Sequence, residues 1–392
     1  MQIVELTAHA IQLPLKRTIK HASHTRTATE NVVVVCKLDD GTIGLGEGVP
    51  RDYVTGETID SVMAVLKRAD WQVCFRDQPK AFVDAVTWIR NIKLPSAVDD
   101  ARQCKTNAAR CAIELALLDA AGQHFGLPLS EVAKIVTPEL FSPRDKVQYS
   151  GAITSSQGTK AKLAGLAMRL YGFSQIKIKV GIEGQNDALR VKNIRKVVGS
   201  KMDLRVDANE AWPAAEVLER VQALAPFQIS SVEQPVRHEH VHMLVDVCKQ
   251  TAIPIMLDES LCSMFDAEQA LAGRYCSLFN IRLSKCGGLI RSLELADFAR
   301  RHGLGYQLGC QVGESAILSA AGRHFATSAR DIRYLEGSYD RRLLKENLAR
   351  PDLTFGWGGW APALTQPGLG IRLMPDALER MTLSKEVLYV RR

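Results

Sequence analysis

Short apolar runs rich in valine and isoleucine recur at a nearly regular interval from residue 147 onward. They lie near residues 147, 175, 202, 229, 253, 278, 305 and 331, and a segment with helical character follows each of them. Strands that alternate with helices at this interval predict parallel βαβ units. Eight such units fit a closed (β/α)8 barrel, which places the chain in the α/β class.

The residues on either side of this repeat predict further structure. Residues 32–36 (VVVVC) are typical of a strand, and residues 39–41 (DDG) predict a hairpin turn. Residues 57–125 have helical character, and the helix over residues 107–125 is expected to stop at Gly126. The C-terminal stretch is rich in proline and glycine and is expected to run back over the N-terminal zone. No long linker separates the zones, so we expect them to pack together.

Composition and charge argue against several classes of protein. The net charge of +7 is small for 392 residues, and the lysines and arginines are spread along the chain. This pattern argues against nucleic-acid binding and is compatible with a small acidic substrate. No run of about 18 apolar residues predicts a membrane span, and the N-terminus does not resemble a secretory signal. Nine cysteines without a Cys-x-x-Cys pair predict reduced thiols and a cytoplasmic protein.

Five charged residues occupy the same place in successive repeats. Each follows an apolar run, at intervals of 28, 26, 25 and 27 residues: Lys179, Asp207, Glu233, Asp258 and Lys285. The C-terminal ends of parallel barrel strands share one rim, and active sites form there. The spacing therefore predicts that these distant residues form one cluster at the barrel mouth.

The three carboxylates of this cluster predict a divalent cation. Asp207, Glu233 and Asp258 would otherwise repel one another and raise each other's pKa. Single carboxylate oxygens without a histidine, with room left for substrate oxygens, suit Mg²⁺ better than Zn²⁺. Mn²⁺ could take the place of Mg²⁺.

The lysines predict acid–base chemistry. Lys177 and Lys179 are two residues apart on one strand, so both can point inward, while Lys285 comes from the opposite strand. A lysine near a metal ion in a partly dry barrel mouth can act as a base. Two lysines on opposite faces of an enediolate could remove the proton alpha to a carboxylate from one side and return it from the other. The metal ion would stabilise the carboxylate oxygens meanwhile.

Six strings that cover nearly the whole chain carry a family resemblance. They are residues 112–119 (AIELALLD), 177–179 (KIK), 207–209 (DAN), 233–235 (EQP), 258–260 (DES) and 280–288 (NIRLSKCGG). In this order they resemble the enolase superfamily, and within it the muconate-lactonizing (muconate cycloisomerase) subgroup. The seventh strand, residues 305–311 (GYQLGCQ), lacks the histidine base of the mandelate-racemase-like and sugar-acid dehydratase subgroups, which are therefore disfavoured.

The resemblance implies both an architecture and roles for the site residues. Mg²⁺ would be bound by the three carboxylates, with Lys179 and Lys285 as the acid–base pair. Lys177 would support Lys179 electrostatically and contact the substrate carboxylate. Pairing into a homo-oligomer is also implied. The implied units are an N-terminal α+β capping domain at residues 1–130, a modified (β/α)8 TIM barrel at 131–360 and a C-terminal segment at 361–392 that completes the cap.

Two loops of the cap are expected to shape specificity, as they do in the family that the chain resembles. They span residues 20–26 and 51–56, and their basic and polar side chains would suit an anionic carboxylate substrate. The residues expected to bind the substrate are His21, His24, Arg26, Arg51, Tyr53, Asn209, Gln311, Glu314 and Glu336.

Several functions stay open at this point. The leading interpretation is a cycloisomerase or a racemase/epimerase, and a dehydration like that of o-succinylbenzoate synthase is the first alternative. Dipeptide epimerases usually show an Asp-x-Asp motif on the eighth strand, where residues 335–338 here read LEGS, with Asp340 further on. Glu336 could take part of that role. A barrel repurposed for ligand binding is the non-enzyme alternative, and the two opposed lysines argue against it. Residues 44–48 (GLGEG) open no helix and do not support a dinucleotide-binding loop.

Overall fold

An antiparallel sheet and a parallel sheet of eight strands dominate the computed structural model, which describes residues 1–20, 25–76, 78–154, 156 and 158–391. The strands are β1 (Ile3–Lys20), β2 (Thr25–Leu38), β3 (Ile43–Gly48), β4 (Lys146–Gln148), β5 (Gly151–Ile153), β6 (Gln175–Lys179), β7 (Asp203–Asp207), β8 (Ile229–Glu233), β9 (Ile255–Leu257), β10 (Leu278–Ile281), β11 (Gly305–Leu308), β12 (Ile332–Leu335), β13 (Ala349–Arg350), β14 (Trp360–Pro362), β15 (Arg372–Leu373) and β16 (Thr382–Val390). The α-helices are α1 (Ile59–Arg68), α2 (Trp71–Cys74), α3 (Phe82–Arg90), α4 (Asn107–Phe125), α5 (Glu131–Val136), α6 (Gly158–Leu170), α7 (Asp187–Val198), α8 (Val217–Leu224), α9 (Leu244–Gln250), α10 (Met264–Gly273), α11 (Leu289–Arg301), α12 (Ala316–Ser328), α13 (Asp340–Leu343) and α14 (Pro375–Met381). Within this described part, no helix is both long enough and apolar enough to cross a membrane.

The antiparallel sheet joins the two ends of the chain, in the order β16-β1-β2-β3. β2 and β3 form the predicted hairpin, and Gly41 in its turn has a φ of +86°, which glycine adopts without strain. The C-terminal strand β16 pairs antiparallel with β1, with Glu386 opposite Ala8. The C-terminal segment therefore completes the cap, as the sequence predicted.

The glycines of β3 allow the long helix α4 to lie directly on this sheet. α4 is buried along most of its length. A Cβ atom at Gly46 would lie 1.9 Å from the carbonyl oxygen of Ala112, and one at Gly48 would lie 2.1 Å from that of Ala108. Only glycine permits so close an approach, so the glycine-rich run serves helix–sheet packing.

The parallel sheet curls through its eight strands in sequence order, from β5 to β12. Ser150, directly before β5, donates its N–H to the carbonyl oxygen of Leu335 in β12 at 2.8 Å. A backbone hydrogen bond thus joins the two edges of the sheet. The predicted α/β fold, a barrel with an α+β cap, is confirmed, while the domain boundaries at residues 130 and 360 stay predictions.

The first barrel strand begins at Gly151 and not near residue 147 as predicted. Around that residue β4 pairs antiparallel with β14, with Val147 opposite Ala361, and lies outside the eight-stranded sheet. Tyr149 donates its N–H to the carbonyl oxygen of Gly359 at 2.8 Å, which holds the segment against the chain that follows the barrel. The other seven strands lie where the apolar runs predicted them.

Buried carboxylates join the cap to the barrel. Glu47 of β3 accepts hydrogen bonds from the N–H groups of Ser315 and Leu318 at the start of α12. Glu114 of α4 accepts one from the N–H of Ile290 at the start of α11. The first N–H groups of a helix have no partner within the helix and carry a partial positive charge, so they favour a carboxylate. Because loops at the carboxyl ends of β10 and β11 lead into α11 and α12, these contacts seat the cap over the carboxyl ends of the strands.

Candidate active site

The predicted cluster assembles at the carboxyl ends of neighbouring barrel strands. Lys179, Asp207 and Glu233 are the last residues of β6, β7 and β8, and Asp258 directly follows β9. Lys179 is in register with Asp207, and Asp207 with Glu233. Because adjacent parallel strands end at the same rim, these side chains lie side by side.

Lys179 extends from this rim toward solvent. Its Nζ lies 2.9 Å from Asp207 Oδ2 and donates a hydrogen bond to Asn209 Oδ1. The side chain of Lys179 is 27% exposed, whereas that of Lys177 is 7% exposed. Of the two β6 lysines, Lys179 is therefore the one that a small molecule at the barrel mouth can touch.

Lys177 lies deeper and is a fixed positive charge. Its Nζ is 2.9 Å from Glu336, 3.2 Å from Asp207 and 3.4 Å from Glu233. Burial acts to lower the pKa of Lys177, but the three surrounding carboxylates raise it above the ordinary range of lysine. Lys177 therefore stays protonated.

The three carboxylates proposed to bind metal are fully buried. Burial acts to raise the pKa of Asp207, but the charges of the two β6 lysines hold it well below its usual range. Burial, together with the charge of Asp207, raises the pKa of Glu233. Asp258 is fixed through its backbone, because Gln234 Oε1 accepts its N–H at 2.8 Å. The cations of the chain therefore balance the negative charge of Asp207 more fully than that of Glu233.

The donor set suits a hard divalent cation. Carboxylates from three adjacent strands offer oxygen ligands without histidine or thiolate. Asp207 Oδ2 is buried and contacts the ammonium groups of Lys177 and Lys179. In the part of the chain that the structure describes, no three acidic, histidine or cysteine side chains converge on one point. Cationic side chains stand between the carboxylates and would have to move aside for a metal ion.

One of these cations, Arg282, was not singled out from the sequence. Its guanidinium contacts Asp258 and lies 3.7 Å from Glu233 Oε1, and its side chain is 14% exposed. Asn280, two residues earlier, also points into the cluster and donates a hydrogen bond to Glu233 Oε1 at 2.8 Å. Side chains two residues apart on a strand share a face. Because Arg282 lies two residues after Asn280, this spacing is the sequence signal that places Arg282 in the cluster.

Lys285 is surrounded by protein. It lies in the turn after β10, and its side chain is 0% exposed. Its Nζ donates hydrogen bonds to the carbonyl oxygen of Asp258 at 2.5 Å, to Asp258 Oδ1 at 2.9 Å and to the carbonyl oxygen of Asn280 at 2.8 Å. These contacts use all three N–H donors of the ammonium group. Burial lowers the pKa of Lys285.

Asn209 and Glu336, two of the predicted substrate contacts, lie at the cluster. Asn209 accepts a hydrogen bond from Lys179. Glu336 accepts hydrogen bonds from Lys177 at 2.9 Å and from Arg205 at 2.6 Å. Burial acts to raise the pKa of Glu336, but these two cations lower it to about 2. Glu336 is therefore an ionised carboxylate whose charge is already balanced.

Gln311 and Glu314, two further predicted contacts, lie in the loop between β11 and α12. The N–H of Gln311 donates to Glu314 Oε1 at 2.7 Å, and Gln311 Nε2 donates to the carbonyl oxygen of Val49 at 3.2 Å. Burial raises the pKa of Glu314 to about 8. This pair connects the seventh barrel loop to the cap without adding a full negative charge near neutral pH.

Arg51 is buried between the cap and the barrel. Its guanidinium donates hydrogen bonds to the carbonyl oxygens of Pro50 at 2.6 Å and Val312 at 2.9 Å, and to Thr29 Oγ1 at 2.7 Å. Burial lowers the pKa of Arg51 to about 10. The structure therefore gives Arg51 a role in holding the cap on the β11–α12 loop, and its predicted contact with substrate stays a prediction.

The remaining predicted contacts belong to the cap loops. Arg26 lies over the ring of Tyr53, with its guanidinium carbon 5.8 Å from the ring centroid. This contact brings the two predicted loops together. His21 and His24 lie outside the described residues, so their roles stay predictions.

Two family models match the chain, one for each main part of the fold. The mandelate racemase / muconate lactonizing enzyme N-terminal domain matches residues 3–133, and the enolase C-terminal domain-like family matches residues 161–377. The second match alone covers more than half of the chain. It includes every residue of the strand-end cluster.

Relatives of several activities resemble the chain over its whole length. The N-succinyl-L-Arg/Lys racemase of Bacillus cereus is 28% identical over 391 residues, 99% of this chain and 100% of that protein. The dipeptide epimerase of Cytophaga hutchinsonii, solved in complex with Mg and D-Ala-L-Val, has a TM-score of 0.83 and 26% identity and covers 99% of this chain and 100% of its own. The muconate lactonizing enzyme of Pseudomonas fluorescens, solved with muconolactone, has a TM-score of 0.83 and 25% identity and covers 97% and 99%. The chain therefore belongs to the enolase superfamily, among its metal-dependent racemases, epimerases and cycloisomerases.

Proposed function

We propose that this chain removes the proton alpha to the carboxylate of a small substrate, with Lys179 as the base and Mg²⁺ held by Asp207, Glu233 and Asp258. Mn²⁺ could take the place of Mg²⁺, because both accept carboxylate oxygens. When bound, the metal ion would stabilise the negative charge that develops on the substrate carboxylate. The observation that carries the proposal is the position of Lys179, which is partly exposed at the rim and 2.9 Å from Asp207.

Lys177 supports this reaction as a fixed charge below the rim. It lies two residues before Lys179 on the same strand, and its Nζ is within 3.4 Å of Asp207 and Glu233. A buried ammonium attracts an incoming carboxylate and stabilises the charge that builds up as the proton leaves. Its burial strengthens this interaction, because the surroundings screen it less than water would.

The acidic residues near the end of β12 bear on the substrate class. Glu336 is engaged by Lys177 and Arg205, as described above. Asp340 is buried and accepts hydrogen bonds from Ser319 at 2.5 Å and Asn347 at 3.0 Å. Neither carboxylate is placed to bind a substrate ammonium. We therefore infer an N-acylated amino acid or an unsaturated dicarboxylate as substrate, in preference to a dipeptide with a free amino group.

A panel experiment in deuterated buffer tests this function. N-succinyl amino acids, dipeptides and muconates would be incubated with the enzyme and Mg²⁺, and exchange at the alpha carbon would be followed by NMR and mass spectrometry. We expect exchange or lactone formation with the first or third group, and none in EDTA. Turnover that persists in EDTA would contradict the metal requirement, and turnover of the dipeptides alone would contradict the substrate class.

We also propose assembly into a homo-oligomer, the state implied by the family resemblance. α6 supports it, because Leu163, Leu166 and Leu170 are exposed at helical spacing and form an apolar strip that a second copy could cover. Light scattering coupled to size-exclusion chromatography would give the mass. A cytoplasmic location stays a prediction.

A further inference from the structure

The group that faces Lys179 across the carboxylates decides where a proton can go. In the sheet, β7, β8 and β9 lie between β6 and β10. Lys179 stands on the β6 side of the carboxylates, beside Asp207. On the β10 side stands Arg282, which contacts Asp258 and lies 3.7 Å from Glu233. Lys179 and Arg282 therefore flank the proposed metal site from opposite sides.

Lys285 comes from the same segment as Arg282 but is not available to a substrate. Its side chain is 0% exposed against 14% for Arg282, and each of its three N–H donors has a protein acceptor. To reach a substrate, it would have to leave the buried carbonyl oxygens of Asp258 and Asn280 without a donor, which costs free energy. Lys285 thus has a structural role and holds Asp258 in place.

The alternation of side chains along a strand explains why Arg282 points into the cluster and Lys285 does not. Lys177 and Lys179 are two residues apart and both point into the cluster from β6. Asn280 in β10 and Arg282, the residue directly after β10, repeat this arrangement. Lys285 lies three residues beyond Arg282, in the turn that precedes α11.

We propose that Arg282 is the cation of the sixth barrel strand that faces the substrate, and that protons are taken up and delivered on the Lys179 side only. This inference rests on the proposed function. A guanidinium group has five N–H donors and no acceptor, so Arg282 stabilises negative charge but takes no proton. Inversion of the alpha carbon requires a second acid–base group on the opposite face. The reaction class is therefore elimination or its reverse, addition, as in cycloisomerisation, and not racemisation or epimerisation.

One base is sufficient for this chemistry in both directions. In elimination, Lys179 Nζ takes the alpha proton and the C–H electron pair passes into the enediolate. That pair then forms the C=C bond as the bond to the β-oxygen breaks, and the Lys179 ammonium returns the proton to the departing oxygen. In addition, a carboxylate oxygen of the substrate attacks the β-carbon of the C=C bond, and the Lys179 ammonium protonates the alpha carbon. Neither direction requires an oxidant, a reductant or a second base.

Stereochemistry tests this inference. Both enantiomers of N-succinyl-arginine and N-succinyl-phenylalanine would be incubated in deuterated buffer with Mg²⁺ and the wild type or Arg282→Lys. We expect the wild type to label only one enantiomer, with retention and without interconversion. We expect Arg282→Lys to gain interconversion, since it places a proton acceptor opposite Lys179. Interconversion by the wild type would overturn the inference and leave the proposed function intact.

A second measurement does not depend on a substrate. Mn²⁺ affinity would be measured by titration calorimetry for the wild type, Arg282→Gln, Arg282→Lys and the surface control Arg220→Gln. Removal of a cation between Glu233 and Asp258 should tighten Mn²⁺ binding roughly tenfold, whereas Arg220→Gln should leave it unchanged. If Arg282→Gln does not fold, Arg282→Lys carries the test. The Mn²⁺ affinity of Arg282→Lys should shift at least about twofold, because the lysine side chain is shorter and its ammonium group cannot contact both carboxylates as the guanidinium does. Unchanged affinity in the folded variant would overturn the inference even if no probe is labelled. A wild type that binds no Mn²⁺ would instead contradict the proposed function.

Discussion

Lys285 Nζ lies 2.9 Å from Asp258 Oδ1, and neither side chain is exposed to solvent. The same ammonium donates hydrogen bonds to the carbonyl oxygens of Asp258 and Asn280. This buried ion pair ties the residue after β9 to the turn after β10. It therefore fixes one of the proposed metal ligands before any metal ion binds.

Lys285→Met should destabilise the protein as a whole. The substitution removes one partner of a buried ion pair and leaves two buried carbonyl oxygens without a donor, which costs about 3–5 kcal/mol even though Arg282 still contacts Asp258. Urea denaturation followed by circular dichroism would measure the loss in free energy of unfolding. Lys249→Met is the matched control, because its ion pair with Asp246 is 66% and 77% exposed and is worth less than about 1 kcal/mol. A Lys285→Met protein as stable as the control would contradict the structural role of Lys285.

Asp207→Asn should impair metal binding without unfolding the chain. The buried Oδ2 of Asp207 contacts both β6 lysines, and Asp207 is in register with Glu233 on the next strand. Loss of a direct ligand should weaken Mn²⁺ binding at least about a hundredfold, more than loss of a residue that only orients a ligand. Titration calorimetry would measure this. Asp203→Asn, at the other end of β7, serves as the control, and equal Mn²⁺ affinity in the two variants would disprove the assignment of Asp207.

The barrel and the cluster of strand ends could be predicted because both depend on regular spacing. Runs of valine and isoleucine at intervals of 24 to 28 residues leave few alternatives to parallel βαβ units. In such units the carboxyl ends of the strands share a rim, so Lys179, Asp207 and Glu233 had to lie together. These conclusions need no knowledge of contacts between distant segments.

Spacing did not determine which way a side chain points beyond the end of a strand. Arg282 and Lys285 both follow the same apolar run, and only the residue at which β10 ends decides that Arg282 points into the cluster. Long-range partners account for the other differences. β4 leaves the barrel sheet to pair with β14, and Arg51 is buried by its contact with Val312, 261 residues away.

A histidine in α12 should make stability depend on pH. His324 is fully buried, its Nε2 donates to the carbonyl oxygen of Leu369 at 3.2 Å, and its Nδ1 is buried without a partner in the described part of the chain. Burial lowers the pKa of His324 to about 4, from an ordinary value of 6.5. Between these values the unfolded chain binds the extra proton and the folded chain does not. The contribution of neutral, buried His324 to the free energy of unfolding is therefore fully present above pH 6.5 and is lost as pH falls toward 4.

The size of this effect follows from the shift in pKa. At pH 4 the loss should reach up to about 3 kcal/mol relative to pH 7. Urea denaturation across this range would compare the wild type with His324→Asn, which should lack this part of the pH dependence. His302→Asn, at an exposed position after α11, should retain it. Identical pH profiles for the wild type and His324→Asn would rule out this source.

The central claim is tested most directly by the rate of deuterium incorporation at the alpha carbon, with Mg²⁺ saturating. The substrate would be whichever member of the panel the wild type labels. The rate would be measured for the wild type, Lys179→Ala and Lys192→Ala, which changes an exposed lysine of α7. If Lys179 takes the proton, Lys179→Ala should lose about 10²–10⁴-fold in rate while it stays folded and binds Mn²⁺ at least as tightly as the wild type, because it removes a cation beside Asp207. Lys192→Ala should retain the full rate. Labelling by Lys179→Ala at the wild-type rate would contradict the account.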